Sequence, residues 1–326
     1  MINEQPATPA TRLILPLPGN ESLARRIADE GGWELGALET RRFPDGETYI
    51  RILSEVKGKA VDLICTLARP DDGFLRLIFT ADAARELGAR QVNLIAPYLS
   101  YMRQDRRFQQ GEALTSKSFA RLVSSSFDRL VTIDPHLHRY AALSPLYTIP
   151  SDTLHAAPLL ADWIAAEIDK PLIIGPDEES DQWVSAIAAR IGAPYVVLRK
   201  VRHGDRNVEV ELPDLSAWHG LQPVLVDDIA SSGNTLIEAA RQLPLQGLAR
   251  PVVAVVHGIF ADDSFQRLTE LCQRIVSTDS VPHESNAVGV ASLVAQAIAS
   301  TPNADCDLVR HRRPPESPDE AALTDN

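Results

Sequence analysis

The sequence predicts an α/β fold made of two tandem halves, each a mainly parallel sheet flanked by helices. A length of 326 residues suits two domains of about 150 residues each. Short apolar runs of strand length alternate with segments whose apolar residues recur at helical spacing. This alternation occurs twice, although the two halves show no close sequence repeat. Buried strands joined by helical crossovers run parallel, because the helices cover both faces of the sheet.

The first half contains four apolar runs with the length of buried strands. They lie at residues 13–17, 61–68, 91–98 and 129–136. Helices are expected to begin near Asn20 or Ser22 and to cover 74–89 and 117–126, where apolar residues return at helical spacing. The Pro-Asp-Gly sequence within RRFPDGE is typical of a turn between two strands.

The second half follows the same pattern. Strands are expected at 171–177, 195–200, 223–229, 252–258 and 274–279. Helices are expected at 153–168, 183–193, 234–243, 262–272 and 286–299. Two prolines near SPLYTIPSD suit a junction, which predicts domains at 12–150 and 151–300. The remaining segment, 301–326, is Pro-rich and acidic, a composition typical of a disordered tail.

Composition and charge exclude several classes of function. With 44% hydrophobic and 23% charged residues, the chain has the proportions of a globular protein in water. The formal net charge of -12 makes nucleic acid and anionic membranes poor partners, because both would be repelled. The three cysteines are widely separated, which argues against a disulfide framework or a thiolate metal site. No signal peptide or membrane span is visible, so a cytoplasmic location is expected.

The most informative segment is VLVDDIASSGNTL, residues 224–236. An apolar strand runs into Asp227 and Asp228, and a short turn of small residues at 231–235 leads into a helix. Hydroxyls and backbone N–H groups at a helix N-terminus can hold a phosphate. The two carboxylates would then meet sugar hydroxyls or Mg²⁺. The alternative is an ordinary strand–loop–helix junction with a Ser or Thr cap. No Walker or G-x-G-x-x-G pattern is present.

Five other segments place polar residues where ligands of an open parallel sheet bind, near the carboxyl ends of strands or in adjoining turns. They are RRFPDGE (41–47), YMRQDRRFQQGEALTSKSFA (101–120), DPHLHRY (134–140), IIGPDEESDQWV (173–184) and LRKVRHGDRNVEV (198–210). Four of them also have a plainer interpretation: RRFPDGE as a turn, 101–120 as a solvated basic loop, DPHLHRY as carrying structural histidines, and 198–210 as a charged strand edge. Their order and spacing carry more information than any one of them alone.

Together with the loop at 231–235, these segments resemble the ribose-phosphate pyrophosphokinase family, also called phosphoribosyl pyrophosphate synthetases, over roughly residues 12 to 300. The resemblance implies two type I phosphoribosyltransferase-like domains. It also implies transfer of the diphosphoryl group of ATP to the 1-hydroxyl of ribose 5-phosphate, with Mg²⁺ as cofactor. A homo-oligomer of at least two copies is implied, since the family's ATP site is often shared between subunits. Glu179 and Ser180 depart from the family pattern, which commonly has two glycines there.

The resemblance also assigns roles to individual residues. Lys200 is expected to be the main catalytic cation, assisted by Arg202. ATP contacts are expected from Phe43, Asp45, Gly46, Glu47, Arg103, Gln104 and Asp105, with Asp105 orienting the two residues before it. Ribose 5-phosphate contacts are expected from Arg202, Asp227, Asp228, Ser231, Ser232, Gly233, Asn234 and Thr235. The metal-associated residues are expected to be His136 and Asp177.

Two alternatives remain open at the level of sequence. A non-catalytic regulatory subunit could share the fold and associate with an active relative, although the presence of Lys200, Arg202, His136 and Asp177 argues against it. A phosphoribosyltransferase would share the loop at 231–235. It would have no need of an ATP-reading half, so RRFPDGE and YMRQDRR count against it.

Overall fold

The computed structural model describes residues 11–107, 109–137, 139–203 and 207–300, with the backbone alone at 179, 182, 200–203 and 207–210. The tail beyond Ser300, for which disorder is expected, lies outside the described residues. Within the described ranges, no helix is both long and apolar enough to cross a bilayer.

The first half forms a six-stranded sheet in which all neighbouring strands are parallel. Its strands are β1 (Arg12–Pro16), β2 (Glu34–Leu35), β5 (Ala60–Ile64), β6 (Gln91–Ala96), β7 (Arg129–Ile133) and β8 (Ser151–Leu154). They lie in the order β2-β1-β5-β6-β7-β8. An antiparallel hairpin of β3 (Leu38–Arg42) and β4 (Thr48–Ile52) follows β2. Every residue of β5 is buried, as expected for a central parallel strand covered on both faces.

The second half repeats this architecture. Its strands are β9 (Pro171–Gly175), β10 (Tyr195–Val197), β13 (Gln222–Ala230), β14 (Val252–Gly258), β15 (Arg274–Thr278) and β16 (Asn286–Val288). The order β10-β9-β13-β14-β15-β16 is again wholly parallel. A second hairpin, β11 (Arg199–His203) with β12 (Asn207–Glu211), occupies the same place in the connection as β3 and β4 do in the first half.

Eight α-helices connect the strands within the described residues. They are α1 (Glu21–Gly31), α2 (Pro70–Glu86), α3 (Thr115–Ser126), α4 (Ala157–Glu167), α5 (Asp181–Ile191), α6 (Asn234–Gln242), α7 (Ser264–Leu271) and α8 (Ala291–Ala299). The apolar side of α1 is buried, and the helix ends at Gly32 in the left-handed conformation with φ of 63°. The N–H of Gly32 donates to the carbonyls of the last turn.

One hydrophobic core is shared between the two halves. It joins side chains of both sheets, such as Ile95 and Val226, with residues of α1, α4, α5 and α8. Helix α1 packs against α8, and α4 packs against α5. Two further cores cover the outer faces of the sheets, one in each half. The shared core therefore fixes the position of one half against the other, which matters for any site that both halves build.

The structure confirms the α/β class and the two parallel sheets, with differences at the edges. A helix was expected over 153–168, but Ser151–Leu154 is the edge strand β8 and α4 begins only at Ala157. A helix was expected over 286–299, but Asn286–Val288 pairs with β15 as β16 before α8 begins. Both strands are short and only partly apolar, so they lack the pattern of a buried strand.

Candidate active site

A cavity of about 980 Å³ lies between the two halves. The second half contributes the carboxyl ends of β9 and β13 and the loop that follows β13. The first half contributes residues 134–137 and 139–142, which follow β7, together with Arg103. The cavity thus lies at the carboxyl-end edge of the second sheet, where ligands of open parallel sheets bind.

Two adjacent carboxylates stand on the cavity wall near the end of β13. Asp228 accepts a hydrogen bond from His136, whose Nδ1 lies 2.6 Å from the Asp228 Oδ2 atom. Asp227 accepts the backbone N–H of Asp228 at 3.0 Å. The contact between Asp228 and His136 joins the second sheet to the segment after β7, so it ties the two halves of the site together.

The electrostatics of this corner favour a cation or a hydroxyl donor. Burial raises the pKa of Asp227 well above its usual value, and the negative charges of Asp228 and Asp177 raise it further. Burial would also raise the pKa of Asp228, but the hydrogen bond from His136 and the electrostatic influence of the His136 and His257 rings lower it. A ligand that neutralises negative charge would therefore be stabilised here.

The loop between β13 and α6 lines the same cavity at all five of its expected positions, Ser231, Ser232, Gly233, Asn234 and Thr235. Gly233 has φ of 65°, a left-handed conformation that a glycine adopts without strain, and it is the N-cap of α6. It has no side chain with which to cap the helix. The first-turn N–H groups of α6 are therefore oriented for an anion. The carbonyl of Ser231 accepts the Ala261 N–H and the Ser264 hydroxyl, each at 3.0 Å, which anchors the loop.

Asp134 holds the segment that carries His136. Its carboxylate accepts the backbone N–H of Ala156 at 2.8 Å and lies 2.8 Å from the His155 ring. Its own N–H donates to Leu154 in β8. Burial raises the pKa of Asp134 to about 6. The residue has φ of 36°, a strained value for a non-glycine residue, which these contacts stabilise.

The three expected nucleotide residues of the 101–107 loop have different surroundings. Arg103 lines the cavity. Gln104 accepts a hydrogen bond from Thr115 at 2.9 Å. Asp105 is buried and accepts a hydrogen bond from Arg139, with 2.5 Å between Oδ1 and Nη1. Neither of the latter two side chains lines the cavity.

The turn between β3 and β4 stands apart from the cavity lining. Its Phe43 is exposed and packs under the guanidinium of Arg41, 4.5 Å from the ring centre. Asp45 accepts the backbone N–H of Glu47 at 3.2 Å, and Gly46 has φ of 92°. The structure therefore does not bring these four expected ATP residues to the carboxylates, and their role in nucleotide binding stays a prediction.

Lys200 and Arg202 alternate along β11, so they share one face of that strand. Their side chains lie outside the described residues.

Asp177 lines the cavity directly after β9. The hydroxyl of Ser180 donates to the Asp177 carbonyl at 2.5 Å, and a Cβ on Gly175 would come within 2.3 Å of that hydroxyl. Gly175 thus leaves room for the Ser180 side chain.

The cavity also contains residues that sequence reasoning did not assign to a site. Arg139, Tyr140, Thr153, His155, Ser180 and Trp183 all line it. Arg139 and Tyr140 belong to the DPHLHRY segment, so proximity to His136 was the available signal. No feature of the sequence pointed to Trp183, because an aromatic residue in a helix is more often part of a hydrophobic core.

Magnesium fits the chemistry of this corner. Asp177, Asp227 and Asp228 bring negative charges close enough to raise the pKa of one of them, and Mg²⁺ prefers such oxygen ligands. Within the described ranges, no three His, Cys, Asp or Glu side chains form a ready metal cage. In phosphoryl-transfer sites Mg²⁺ is usually held by one or two protein carboxylates together with phosphate oxygens of the substrate.

Comparison with known proteins agrees with this arrangement. Residues 13–126 match the family model described as the N-terminal domain of ribose phosphate pyrophosphokinase, and residues 149–276 match the phosphoribosyl transferase domain model. The ribose-phosphate pyrophosphokinase of Methanopyrus kandleri is 35% identical over 88% of this chain and 98% of its own length. That of Methanothermobacter thermautotrophicus is 32% identical over 88% and 99%.

A solved structure shows the same fold. The phosphoribosylpyrophosphate synthetase from Mycobacterium smegmatis superposes with a TM-score of 0.78 at 22% identity, covering 89% of this chain and 98% of that one. The match spans both halves of the chain. On the family models and the relatives together, the chain belongs to the ribose-phosphate pyrophosphokinase family.

Proposed function

We propose that the protein transfers the diphosphoryl group of ATP to the 1-hydroxyl of ribose 5-phosphate, giving 5-phosphoribosyl 1-pyrophosphate and AMP for nucleotide biosynthesis. One observation carries the proposal. The sugar-phosphate loop at 231–235 and the carboxylates of β13 share a single cavity with His136 and Arg103 of the other half. Such a cavity suits two phosphorylated substrates held side by side.

In this proposal the loop at 231–235 binds the 5-phosphate with hydroxyls and helix N–H groups. Asp227 and Asp228 accept hydrogen bonds from the ribose hydroxyls, which turns the 1-hydroxyl toward the nucleotide. Arg103 contacts the triphosphate, because a guanidinium fork matches phosphate oxygens. Positioning and neutralisation of charge are what this class of reaction asks of a protein.

The chemical step follows from that placement. The 1-hydroxyl oxygen attacks the β-phosphorus of ATP, and the bond from this phosphorus to the oxygen bridging the α-phosphorus breaks. AMP leaves with that oxygen and its electron pair, and the hydroxyl proton passes to water. Lys200 and Arg202 stabilise the charge that develops near the leaving group. His136 and Asp177 are the residues that would hold Mg²⁺, which supplies further positive charge on the phosphates when bound.

The β3–β4 turn suggests how the nucleotide base is bound. Phe43, Asp45, Gly46 and Glu47 lie away from the cavity of their own chain. In the proposal they serve the ATP site of a neighbouring copy, so the active form is a homo-oligomer of at least two chains. A cytoplasmic location agrees with these substrates.

The decisive assay separates the nucleotide products. Purified protein is incubated with ATP, Mg²⁺ and ribose 5-phosphate, and AMP is separated from ADP. Formation of AMP with a diphosphorylated sugar supports the proposal. ATP binding without AMP would favour a non-catalytic subunit. Release of pyrophosphate from 5-phosphoribosyl 1-pyrophosphate and a nucleobase, in the absence of ATP, would favour a phosphoribosyltransferase.

Lys200→Ala tests the assigned catalytic cation. Loss of one group that stabilises transition-state charge should lower kcat for AMP formation by about 10²- to 10³-fold. The measurement is initial rate at saturating ATP and ribose 5-phosphate, with thermal unfolding as the control for folding. Turnover equal to that of the unaltered protein would remove Lys200 from the mechanism.

A further inference from the structure

Arg139 lies on the cavity wall, three residues after His136 in the segment that follows β7. Arg103, from the separate loop after β6, lines the same cavity. Two guanidinium groups from different loops therefore accompany the three carboxylates of the site. Because the chain is acidic overall, with a net charge of -12, two cations in one cavity point to an anionic ligand.

A buried carboxylate holds Arg139 in this place. Arg139 Nη1 lies 2.5 Å from Asp105 Oδ1, and the Asp105 side chain is only 1% exposed, whereas Arg139 is 45% exposed. A guanidinium carries five N–H donors. With one edge tied to the buried Asp105, the exposed remainder can meet a ligand. The pair also links two loops that are distant in sequence, because Asp105 and Arg139 are 34 residues apart.

The second oxygen of Asp105 is a further sign that this pair is built for position. Its Oδ2 atom is buried and has no hydrogen-bond partner among the described residues. A buried carboxylate that is only partly satisfied costs free energy, so it contributes little to stability by itself. A function that needs a fixed guanidinium explains why a carboxylate stands there. This is a different contact from the one expected for Asp105, which was orientation of Arg103 and Gln104.

We propose that Arg139 binds phosphate oxygens of the ATP triphosphate and that Asp105 is the residue that positions it. This inference rests on the proposed function, because the loop at 231–235 already takes the phosphate of the sugar. Arg139 and Arg103 are therefore left to bind the other and longer anion, the triphosphate of ATP. A guanidinium held by a carboxylate is pre-organised for it, so less side-chain entropy is lost on binding.

The test compares Arg139→Ala, Arg139→Lys and Asp105→Asn with Arg190→Ala as the control. Arg190 also pairs with an aspartate, Asp162, at 2.7 Å, but both are exposed and neither lines the cavity. The first readout is KM for ATP and for ribose 5-phosphate, each at saturating co-substrate. The second is calorimetric binding of Mg²⁺-ATP without the sugar, and the third is the unfolding midpoint.

For Arg139→Ala we expect KM and Kd for ATP to rise by about 10- to 100-fold, the effect of losing a charge-assisted hydrogen bond. KM for ribose 5-phosphate should stay within about threefold. Arg139→Lys keeps the positive charge but not the forked guanidinium. Its KM and Kd for ATP should therefore lie between those of Arg139→Ala and those of the unaltered protein. Asp105→Asn should weaken ATP binding by about 3- to 10-fold alone and add nothing in the Arg139→Ala background. Arg190→Ala should match the unaltered protein.

Unchanged ATP binding in Arg139→Ala would overturn the proposal. So would equal losses for both substrates, or a fully additive effect of Asp105→Asn. If Arg139→Ala does not fold, Arg139→Lys decides by the same ATP binding measurement. If the unaltered protein binds Mg²⁺-ATP but never forms AMP, the proposed function fails, and calorimetry still decides whether Arg139 contacts the nucleotide.

Discussion

Single residues at the carboxyl ends of β9 and β13 determine the character of the site. Asp227 and Asp228 occupy adjacent positions, yet their pKa values move in opposite directions. Burial raises the pKa of Asp227, and the charges of Asp228 and Asp177 raise it further, whereas at Asp228 burial is outweighed by the hydrogen bond from His136 together with other favourable contacts. Such a crowded set of carboxylates is costly in the free protein and useful when a cation or a sugar hydroxyl arrives.

Asp227→Asn tests that cost. The substitution keeps the acceptor for the Asp228 N–H and removes a buried charge, so the ligand-free protein should gain about 1 kcal/mol or more in free energy of unfolding at pH 8. Folding raises the pKa of Asp227. The gain in stability is therefore absent below the pKa that this carboxyl has in the unfolded chain, and it grows as the pH rises above that value. Urea unfolding at pH 8 and pH 4 measures it, and AMP formation should decline. A loss of stability at pH 8 would contradict the account.

His257 offers a second test, through pH. Burial lowers its pKa to about 4, and its Nε2 lies 3.1 Å from the Ile133 carbonyl, an arrangement of the neutral ring. The unfolded state takes up a proton near pH 6.5 and the folded state does not, so its contribution to stability is lost as pH falls from about 6.5 toward 4.

The variant His257→Gln isolates that effect. The difference in free energy of unfolding between the variant and the unaltered protein should shrink by about 2 kcal/mol when the pH is lowered from 7.5 to 5. Urea unfolding of both proteins at the two pH values measures the difference. A difference independent of pH would show that His257 does not remain neutral in the folded protein.

The sequence predicted residues at or just beyond the carboxyl ends of apolar strands, because parallel strands end at one edge where ligands bind. Asp177, Asp227, Asp228 and His136 all line the cavity for that reason. Arg139 was not predicted. Its place depends on a contact with Asp105, and no spacing rule reports contacts between two irregular loops.

At the scale of elements, the buried strands were predictable and the edge strands were not. All five residues of β5 are buried, and its run of apolar residues is visible in the sequence. Strand β8 has four half-buried residues with the sequence SDTL, so its place at the sheet edge left no apolar pattern. The chain pairs it with β7 nonetheless, because the edge of β7 would otherwise present unpaired backbone groups.

Strand β5 also contains a buried charge, Asp62, which pairs with Arg12 of β1 at 2.5 Å and accepts the Asn93 amide of β6 at 2.8 Å. Burial raises the pKa of Asp62, and Arg12 opposes that rise. Arg12→Met should therefore lower the free energy of unfolding by about 3–5 kcal/mol, because it leaves an uncompensated charge. Arg190→Met, at a solvent-exposed pair, should leave the free energy of unfolding almost unchanged. Equal effects in urea unfolding would contradict the role given to Asp62.

At the scale of the whole molecule, the two halves repeat one architecture in detail. Asp134 after β7 and Asp279 after β15 each donate their N–H to the last strand of their sheet. Each also accepts the N–H just before the following helix, from Ala156 and Val290. A smaller cavity of about 460 Å³ occupies the corresponding place in the first half.

That second cavity has a different chemistry. The register of β5 and β13 in their sheets places Cys65 and Thr66 where the second half has Asp227 and Asp228. The Thr66 hydroxyl donates to the Ser280 carbonyl, and its N–H donates to Asn20 at 2.8 Å. The paired carboxylates therefore belong to one half alone, which is why the repeated architecture carries one such site.

The shared core predicts that the halves unfold together. Ile298 of α8 is buried in that core, and Ile298→Ala should cost about 2–5 kcal/mol. Hydrogen exchange of β5 in the first half and β14 in the second should then accelerate by the same factor. Mass spectrometry of peptides from the two strands measures it. Acceleration confined to β14 would show that the first half is stable without the second.

The proposed function requires that two phosphoryl groups are transferred as one unit within the cavity between the halves. ATP labelled in the β- and γ-phosphates, supplied with Mg²⁺ and ribose 5-phosphate, follows that transfer directly. We expect equal β- and γ-label in a single sugar product, with unlabelled AMP released in the same amount. A sugar carrying only the γ-label, with labelled ADP as the other product, would contradict it.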